Sequence, residues 1–261
     1  MPMLGLGTWE NTDPDQCAES VRTALEMGSR HVDTAQVYGN EAAVGEGLAA
    51  ADVDREDVFL ATKIWIDNLA YDDVLETARE SLDRLGVDYA DLLYVHWPAR
   101  TYDPSGTLPA FDELREEGLI RHVGVSNFEP HNLDRAREVL EAPIFANQIE
   151  LHPMLPQREL RHYCADAGIA CVGYSPLARG AVLADETVSA IAEERDASPA
   201  QVALAWARAK GVTAIPKATG RDHIRDNWAS LSLDLTESEV DRIDAIERRD
   251  RRVDPDWAAW R

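Results

Sequence analysis

The sequence predicts a single (β/α)8 barrel over residues 1–261, and three observations predict it. Short apolar runs rich in β-branched residues recur along the chain. Amphipathic helical stretches separate them, which is the pattern of parallel βαβ units. Eight such strands fit in 261 residues, and barrels of this kind typically need about 250. No linker or compositional break divides the chain, and no G-x-G-x-x-G opens a helix after a strand. Gly5-Leu6-Gly7-Thr8-Trp9 begins that way but lacks the third glycine, so the doubly wound dinucleotide fold is not indicated.

The elements follow in order. A short strand is expected near Leu4–Gly7. Asp13-Pro14 then caps a helix over Asp15–Met27 that stops at Gly28. Strand Arg30–Thr34 is followed by helix Ala42–Ala50, and strand Val58–Ile64 by helix Asp72–Leu85, with acids in its first turn and Gly86 at its end. Strand Asp91–Trp97 leads to helix Thr107–Glu117, strand Ile120–Ser126 to helix Pro130–Leu140, and strand Ile144–Glu150 to helix Pro156–Ala167. Strand Ile169–Tyr174 is followed by a helix over Pro199–Lys210, capped by Ser198-Pro199, and then by strand Val212–Pro216. Residues Thr236–Arg261 read as a helix and then a tail lying over the barrel, with Trp257 and Trp260 after Pro255.

Composition narrows the function classes. The chain has 48 Asp+Glu against 26 Lys+Arg, a formal charge of −22. So negative a surface repels phosphate backbones and anionic lipid, so neither nucleic acid nor a membrane is an expected partner. The longest stretch without a charged residue, Ala167–Ala178, is too short for a span of ~20 residues. Met1–Glu10 has no basic n-region or cleavage-like segment. Cys17, Cys164 and Cys171 form no C-x-x-C pair. A reducing cytoplasm is the expected compartment, and a monomer the expected state. Lys63, Lys210 and Lys217 are the only lysines. An acidic, lysine-poor surface suggests adaptation to concentrated salt, where screening within ~3 Å at 1 M removes self-repulsion; acidic drift in a high-GC genome is the plainer reading.

In such barrels the chemistry gathers at the carboxyl ends of the strands. Asp33 ends the second strand, with Tyr38 in the loop after it; Lys63 ends the third and His96 the fourth. A lysine at the end of an apolar strand needs a carboxylate, and Asp33 is the nearest by strand order. A buried cation beside a phenol is expected to favour the phenolate and lower its pKa from ~10. Such a tyrosine can give a proton to a carbonyl oxygen, and a neutral histidine can orient that oxygen. Singly, each residue has a structural reading: a core histidine, a buried ion pair, a tyrosine packing a turn. Together, on three strand ends at one face, they look built to protonate an oxyanion. A zinc site from His31, His96 and His122 is a weaker reading, because alternation puts them at different depths.

These motifs resemble the aldo-keto reductase family over nearly the whole chain. Gly5-Leu6-Gly7-Thr8-Trp9 is similar to its first strand, and the run from His31 to Glu41 to its first signature. Asp91–Pro98 resembles the strand carrying its histidine. Gly124-Val125-Ser126-Asn127-Phe128, Asn147-Gln148-Ile149-Glu150 and Tyr174-Ser175-Pro176-Leu177 follow in the family order. Thr62–Leu69 looks most like prokaryotic 2,5-diketo-D-gluconate and methylglyoxal reductases, and the hairpin that closes the barrel bottom in many members looks missing or vestigial.

The resemblance implies that Tyr38 is the proton donor, that Lys63 and Asp33 tune it, and that His96 orients the carbonyl. It implies that Ser126, Asn127 and Gln148 hold the nicotinamide carboxamide and that the ring stacks on Tyr174. Ser175 and Leu177 fall on the pyrophosphate side, with Thr8 and Trp9 beside the cofactor. Trp9, Trp65 and Trp97, with Trp257 or Trp260, would wall the substrate pocket. After the eighth strand the family often reads Pro-Lys-Ser, with an arginine six residues beyond the lysine for the 2′-phosphate of NADPH. Here the serine is Ala218 and that arginine is His223. Lys217, Thr219 and Arg221 can still meet a phosphate, whereas Asp222 opposes one. Asp226 and Asn227 match the adenine contacts. The implied activity is NADPH-dependent reduction of small aldehydes and ketones, with NADH as a weaker substitute. The alternatives are a diketo-sugar-acid reductase and a non-catalytic barrel that binds nucleotide for regulation.

The charge balance gives a first test. The melting temperature should rise from low salt to molar KCl; a flat or falling series contradicts adaptation to salt.

Overall fold

Eight strands pair in parallel in sequence order: β1 Leu6–Gly7, β2 His31–Asp33, β3 Phe59–Ile64, β4 Ala90–Val95, β5 Ile120–Ser126, β6 Ile144–Glu150, β7 Ala170–Tyr174 and β8 Thr213–Ala214. The computed structural model describes residues 1–261. Strands β1 and β8 are only two residues long, and isolated bridges complete the seam between them, Leu4 with Ala214 and Gly7 with Lys217. Gly5 and Gly7 donate to the carbonyls of Ala214 and Pro216 at 2.9 and 3.1 Å, which closes the sheet on itself.

The helices are α1 Pro14–Glu26, α2 Glu41–Ala50, α3 Tyr71–Leu85, α4 Pro104–Glu116, α5 Pro130–Val139, α6 Arg158–Asp166, α7 Glu186–Glu194, α8 Pro199–Ala209, α9 Arg221–Ala229 and α10 Glu237–Asp244. The expected strands and helices are all present, with ends moved by a few residues. Helix α4 begins earlier than expected, at Pro104, because proline fits a first helical position that needs no N–H. Helix α6 begins later, because Gln157 takes a left-handed backbone at φ 46°. Helix α7 was not anticipated; Asp185 caps it by accepting from the N–H groups of Thr187 and Val188.

Strand alternation sorts the side chains into two cores. Leu93 and Val95 of β4 face outward into the layer between barrel and helices, with Val123, Val125 and Ile149. Leu92 and Tyr94 face inward and pack with Ala61, Ala146, Val172 and Ile215 in the barrel centre. Tyr94 needs Gly124 beside it: a Cβ there would meet the tyrosine ring at 2.6 Å. The same inward row of β3 continues upward to Lys63, and that of β6 to Gln148 and Glu150. The packed interior thus ends in polar groups at one mouth.

The opposite end is an aromatic floor. His31 meets Phe59 edge-on at 5.2 Å, and Phe59, His122 and Phe145 stack on one another, His122 and Phe145 most closely at 4.1 Å. His31 is fully buried with neither ring nitrogen hydrogen-bonded. Burial holds its pKa down to about 3 from 6.5, with the chain's N-terminus and Lys63 acting the same way and the Pro2 carbonyl opposing. His31 is therefore neutral in the fold, while the unfolded chain takes up a proton below pH 6.5. Stability should fall as pH drops from 6.5 toward 3, by up to ~1.4 kcal/mol per unit from this group. His31→Phe should remove about 2 kcal/mol of the loss between pH 7 and pH 5, measured by chemical denaturation. An unchanged pH dependence in the variant would contradict this.

Candidate active site

The mouth at the carboxyl ends of the strands opens into a cavity of about 540 Å³. Asp33 ends β2, and a turn over Gln36–Tyr38 carries Tyr38 back across the barrel top. Gln36, which the sequence reading passed over, fixes that turn with four hydrogen bonds. It accepts from the Trp65 N–H at 2.9 Å and the Asn68 amide at 3.2 Å, and donates to the Thr77 carbonyl and the Ser81 hydroxyl. One side chain therefore ties the loop carrying Tyr38 to the loop carrying Trp65.

Lys63 is fully buried beneath Tyr38. Its Nζ donates to Asp33 Oδ1 at 2.5 Å, to the Thr34 carbonyl at 2.7 Å and to the Tyr38 hydroxyl at 3.4 Å. Gln148 Nε2 donates to the other Asp33 oxygen at 2.7 Å. Burial drives both members of the pair toward neutrality, raising Asp33 and lowering Lys63, while their mutual attraction opposes it. Every donor position of the ammonium is filled, so the cation is held at one point under the phenol.

The expected lowering of the Tyr38 pKa is corrected by this geometry. Burial pushes the phenol well above 10, and the Asp33 charge pushes it the same way. The charge of Lys63 is spent at short range on Asp33, so the ion pair presents little net field to a hydroxyl 3.4 Å away. Tyr38 is thus a protonated phenol with an N–H donor aimed at its oxygen. Such a group has a proton to give and a cation beside the oxygen that would carry the resulting charge.

His96 lies one residue past β4, its N–H bonded to the Ile64 carbonyl at 3.2 Å. Its ring meets Tyr38 edge-on at 5.9 Å and Trp65 at 5.1 Å. Burial, then the Lys63 charge, hold it well below 6.5, so the imidazole is neutral as expected. His31 and His122 lie on the barrel floor, away from His96 at the mouth.

The implied nucleotide residues divide into two groups. Thr8, Trp9, Ser126, Asn127, Gln148, Tyr174, Ser175 and Lys217 line the cavity. Ser126 donates to the Gln148 carbonyl, and Asn127 Nδ2 bonds the Ser126 hydroxyl and the His96 carbonyl at 3.0 and 3.1 Å. The Tyr174 hydroxyl donates to Asn127 Oδ1 at 2.9 Å, which fixes the plane of its ring. Asn127, Ser175, Ala178 and Arg179 all take left-handed backbone, with φ between 47° and 63°, a strain that clusters where loops must present groups to a ligand. Ser126, Asn127 and Gln148 offer a hydroxyl and two amides beside an aromatic face, with the cations Lys217 and Arg179 also at the wall. This donor set fits a nicotinamide nucleotide.

The second group lies outside the cavity, Leu177 in the loop after β7 and the others between Ala218 and Asn227. Leu177 packs against the outer core and Ala218 is buried with Ile224. Thr219 accepts from the Ser20 hydroxyl through its carbonyl, and Arg221 and His223 are exposed. Asp226 is already occupied: its two oxygens accept from the Ser198 hydroxyl at 2.7 Å and the Gln201 amide at 2.6 Å, binding α9 to the start of α8. Asn227 is buried beside it.

Trp65 and Trp97 wall the outer cavity with Trp9, His96 and Trp257. Trp257 stands edge-on to Trp97 at 4.9 Å and to Trp65 at 6.3 Å; Trp260 packs behind Trp97 and does not reach the cavity. The sequence reading missed Arg179, whose guanidinium lies 4.5 Å from the Trp9 ring, and the tail residues Arg252–Pro255, which also line the mouth. Nothing in the local pattern marks them, because each reaches the site through a loop or tail.

A closed barrel with a buried Asp–Lys pair under a tyrosine, a neutral histidine beside it and an amide-lined mouth defines an oxidoreductase acting on carbonyls. Residues 3–248 match the model of the aldo/keto reductase family, and the chain belongs to that family, whose members use nicotinamide nucleotides. It is 39% identical over 261 residues to a 9,11-endoperoxide prostaglandin H2 reductase of Trypanosoma cruzi, covering 98% of this chain and 92% of the relative. It is 40% identical over 262 residues to the methylglyoxal reductase DkgB of Escherichia coli O157:H7, covering 99% and 98%. Among solved structures, a candidate 2,5-diketo-D-gluconic acid reductase B superposes with a TM-score of 0.95 at 35% identity, covering 99% of this chain and 92% of that one. A Bombyx mori aldo-keto reductase in complex with NADP gives 0.90 at 34%, covering 97% and 92%. No helix is long and apolar enough to cross a membrane.

Proposed function

We propose that this chain reduces small aldehydes and ketones to alcohols with NADPH, Tyr38 supplying the proton. The observation that carries the reading is the Tyr38 hydroxyl at the cavity wall, 3.4 Å from an ammonium that is itself locked to Asp33. When bound, the reduced nucleotide supplies a hydride equivalent to the carbonyl carbon. Ser126, Asn127 and Gln148 would hold its carboxamide, Tyr174 would take the ring face, and Lys217 would meet a phosphate. As charge builds on the substrate oxygen, Tyr38 passes its proton to it, and Lys63 stabilises the phenolate left behind. His96, neutral and fixed by the Asn127 bond to its carbonyl, directs the oxygen toward the phenol.

The aromatic walls favour a compact substrate, in keeping with the activity named for the Escherichia coli relative. A second reading, reduction of an anionic keto-sugar acid, is favoured by Arg179 and Arg252 at the cavity wall. NADPH over NADH rests on Lys217, Thr219 and Arg221 near the start of α9. His223 in place of an arginine removes the strongest partner for a 2′-phosphate.

Two experiments test the proposal. Tyr38→Phe should lower kcat for methylglyoxal by at least about 100-fold while NADPH still quenches tryptophan fluorescence with an unchanged Kd; near-normal turnover would refute the proton-donor role. The ratio of kcat/KM for NADPH over NADH should be modest, about tenfold, as for one or two exposed phosphate contacts. A ratio favouring NADH would refute the cofactor preference.

A further inference from the structure

The carboxylate of Glu150 is buried at the top of β6 (1% exposed) and touches none of the groups that would react. It faces the mouth because it follows Gln148 by two residues on the inward row of the strand. Its oxygens accept the Arg252 N–H at 2.7 Å and the Val253 N–H at 2.8 Å. His152 Nε2, 3.0 Å from the same oxygen as Arg252, orients the group. Glu150 is the only barrel side chain that hydrogen-bonds the tail between residues 251 and 261. Past this point the tail runs over the cavity, and Asp254, Pro255 and Trp257 form part of its wall.

We infer that Glu150 is a positioning residue that clamps the strap 252–257 by two backbone N–H groups and thereby sets the outer wall of the substrate pocket through Trp257. Two charge-assisted bonds to consecutive amides fix both the height and the direction of the strap as it leaves the barrel. From there Trp257 reaches Trp97 and Trp65, and Trp65 backs His96. The strap meets the pocket through Trp257 at Trp97 and Trp65 and makes no hydrogen bond to Asp33 or Lys63, so substrate binding should change while the chemical step and nucleotide binding do not. Glu150 pairs in register with Tyr174, so the same rung that carries the aromatic platform carries the clamp.

The kinetic arm of the test rests on the proposed reductase activity; the structural arm does not. Glu150→Gln keeps the shape but aims an amide at one of the two N–H groups, and Val253→Pro removes a donor from the tail while leaving Glu150 itself in place. Either change should speed hydrogen exchange at the clamped amides that remain, Arg252 and Val253 in Glu150→Gln and Arg252 alone in Val253→Pro, and raise KM for methylglyoxal by about tenfold, the loss expected for one such bond. The kcat should stay within about threefold and the NADPH Kd within about twofold, the signature of lost ground-state binding. Trp257→Ala should raise KM likewise with amide protection intact, and adding Glu150→Gln should then raise it little further. The inference is overturned if the Arg252 amide stays protected in both clamp variants, if it opens with KM unchanged, or if kcat and nucleotide affinity fall along with substrate binding. A wild-type chain that reduces no carbonyl overturns the reductase reading and the pocket role together; amide exchange then still shows whether Glu150 clamps the tail.

Discussion

The site depends on one buried ion pair. Lys63 and Asp33 lie on neighbouring strands with almost no solvent contact, and neither would keep its charge there alone. The pair survives because every remaining valence is filled: Thr34 and Tyr38 on the ammonium, Gln148 on the carboxylate. Gln148 thereby links the pair on β2 and β3 to β6 across the barrel. Losing Asp33 or Lys63 would strand the other's charge in the interior, so the site and the integrity of the barrel top are the same problem.

That pair also explains why the phenol is not acidic. A lone ammonium would draw Tyr38 toward the phenolate, but an ammonium already neutralised by a carboxylate at 2.5 Å leaves burial in control. The proton therefore stays on oxygen until a stronger base is generated beside it. For a proton donor to a nascent alkoxide this is the more useful state, since it needs no particular pH to load it. The neutral imidazole of His96 stands beside a neutral phenol and a paired lysine and carboxylate, in a chain whose formal charge is −22.

Around that fixed centre the mouth is built from progressively less regular parts. Strand ends hold Asp33, Lys63 and Gln148; the strained turns at Asn127 and Ser175 present the amide and the loop that follows Tyr174. The outermost wall comes from a tail pinned by Glu150.

The alternation of apolar runs and helical stretches, read along the chain, determined the barrel, its strand order and the end at which Asp33, Tyr38, Lys63 and His96 would meet. These follow from spacing, because a parallel strand of period two has one inward face and one mouth. Strand ends moved by a residue or two, and helix α7 escaped notice although Val188, Ile191 and Ala192 give it a buried face at helical spacing. Only the folded chain decided who neutralises whom: that Gln148 serves Asp33, that Asp226 is consumed in tying α9 to α8, and that Tyr38 keeps its proton. It also decided that Gln36, Arg179 and Glu150 matter, since their partners lie up to about 170 residues away in sequence. Long-range hydrogen bonds and local dielectric are properties of packing, and no local pattern of residues encodes them.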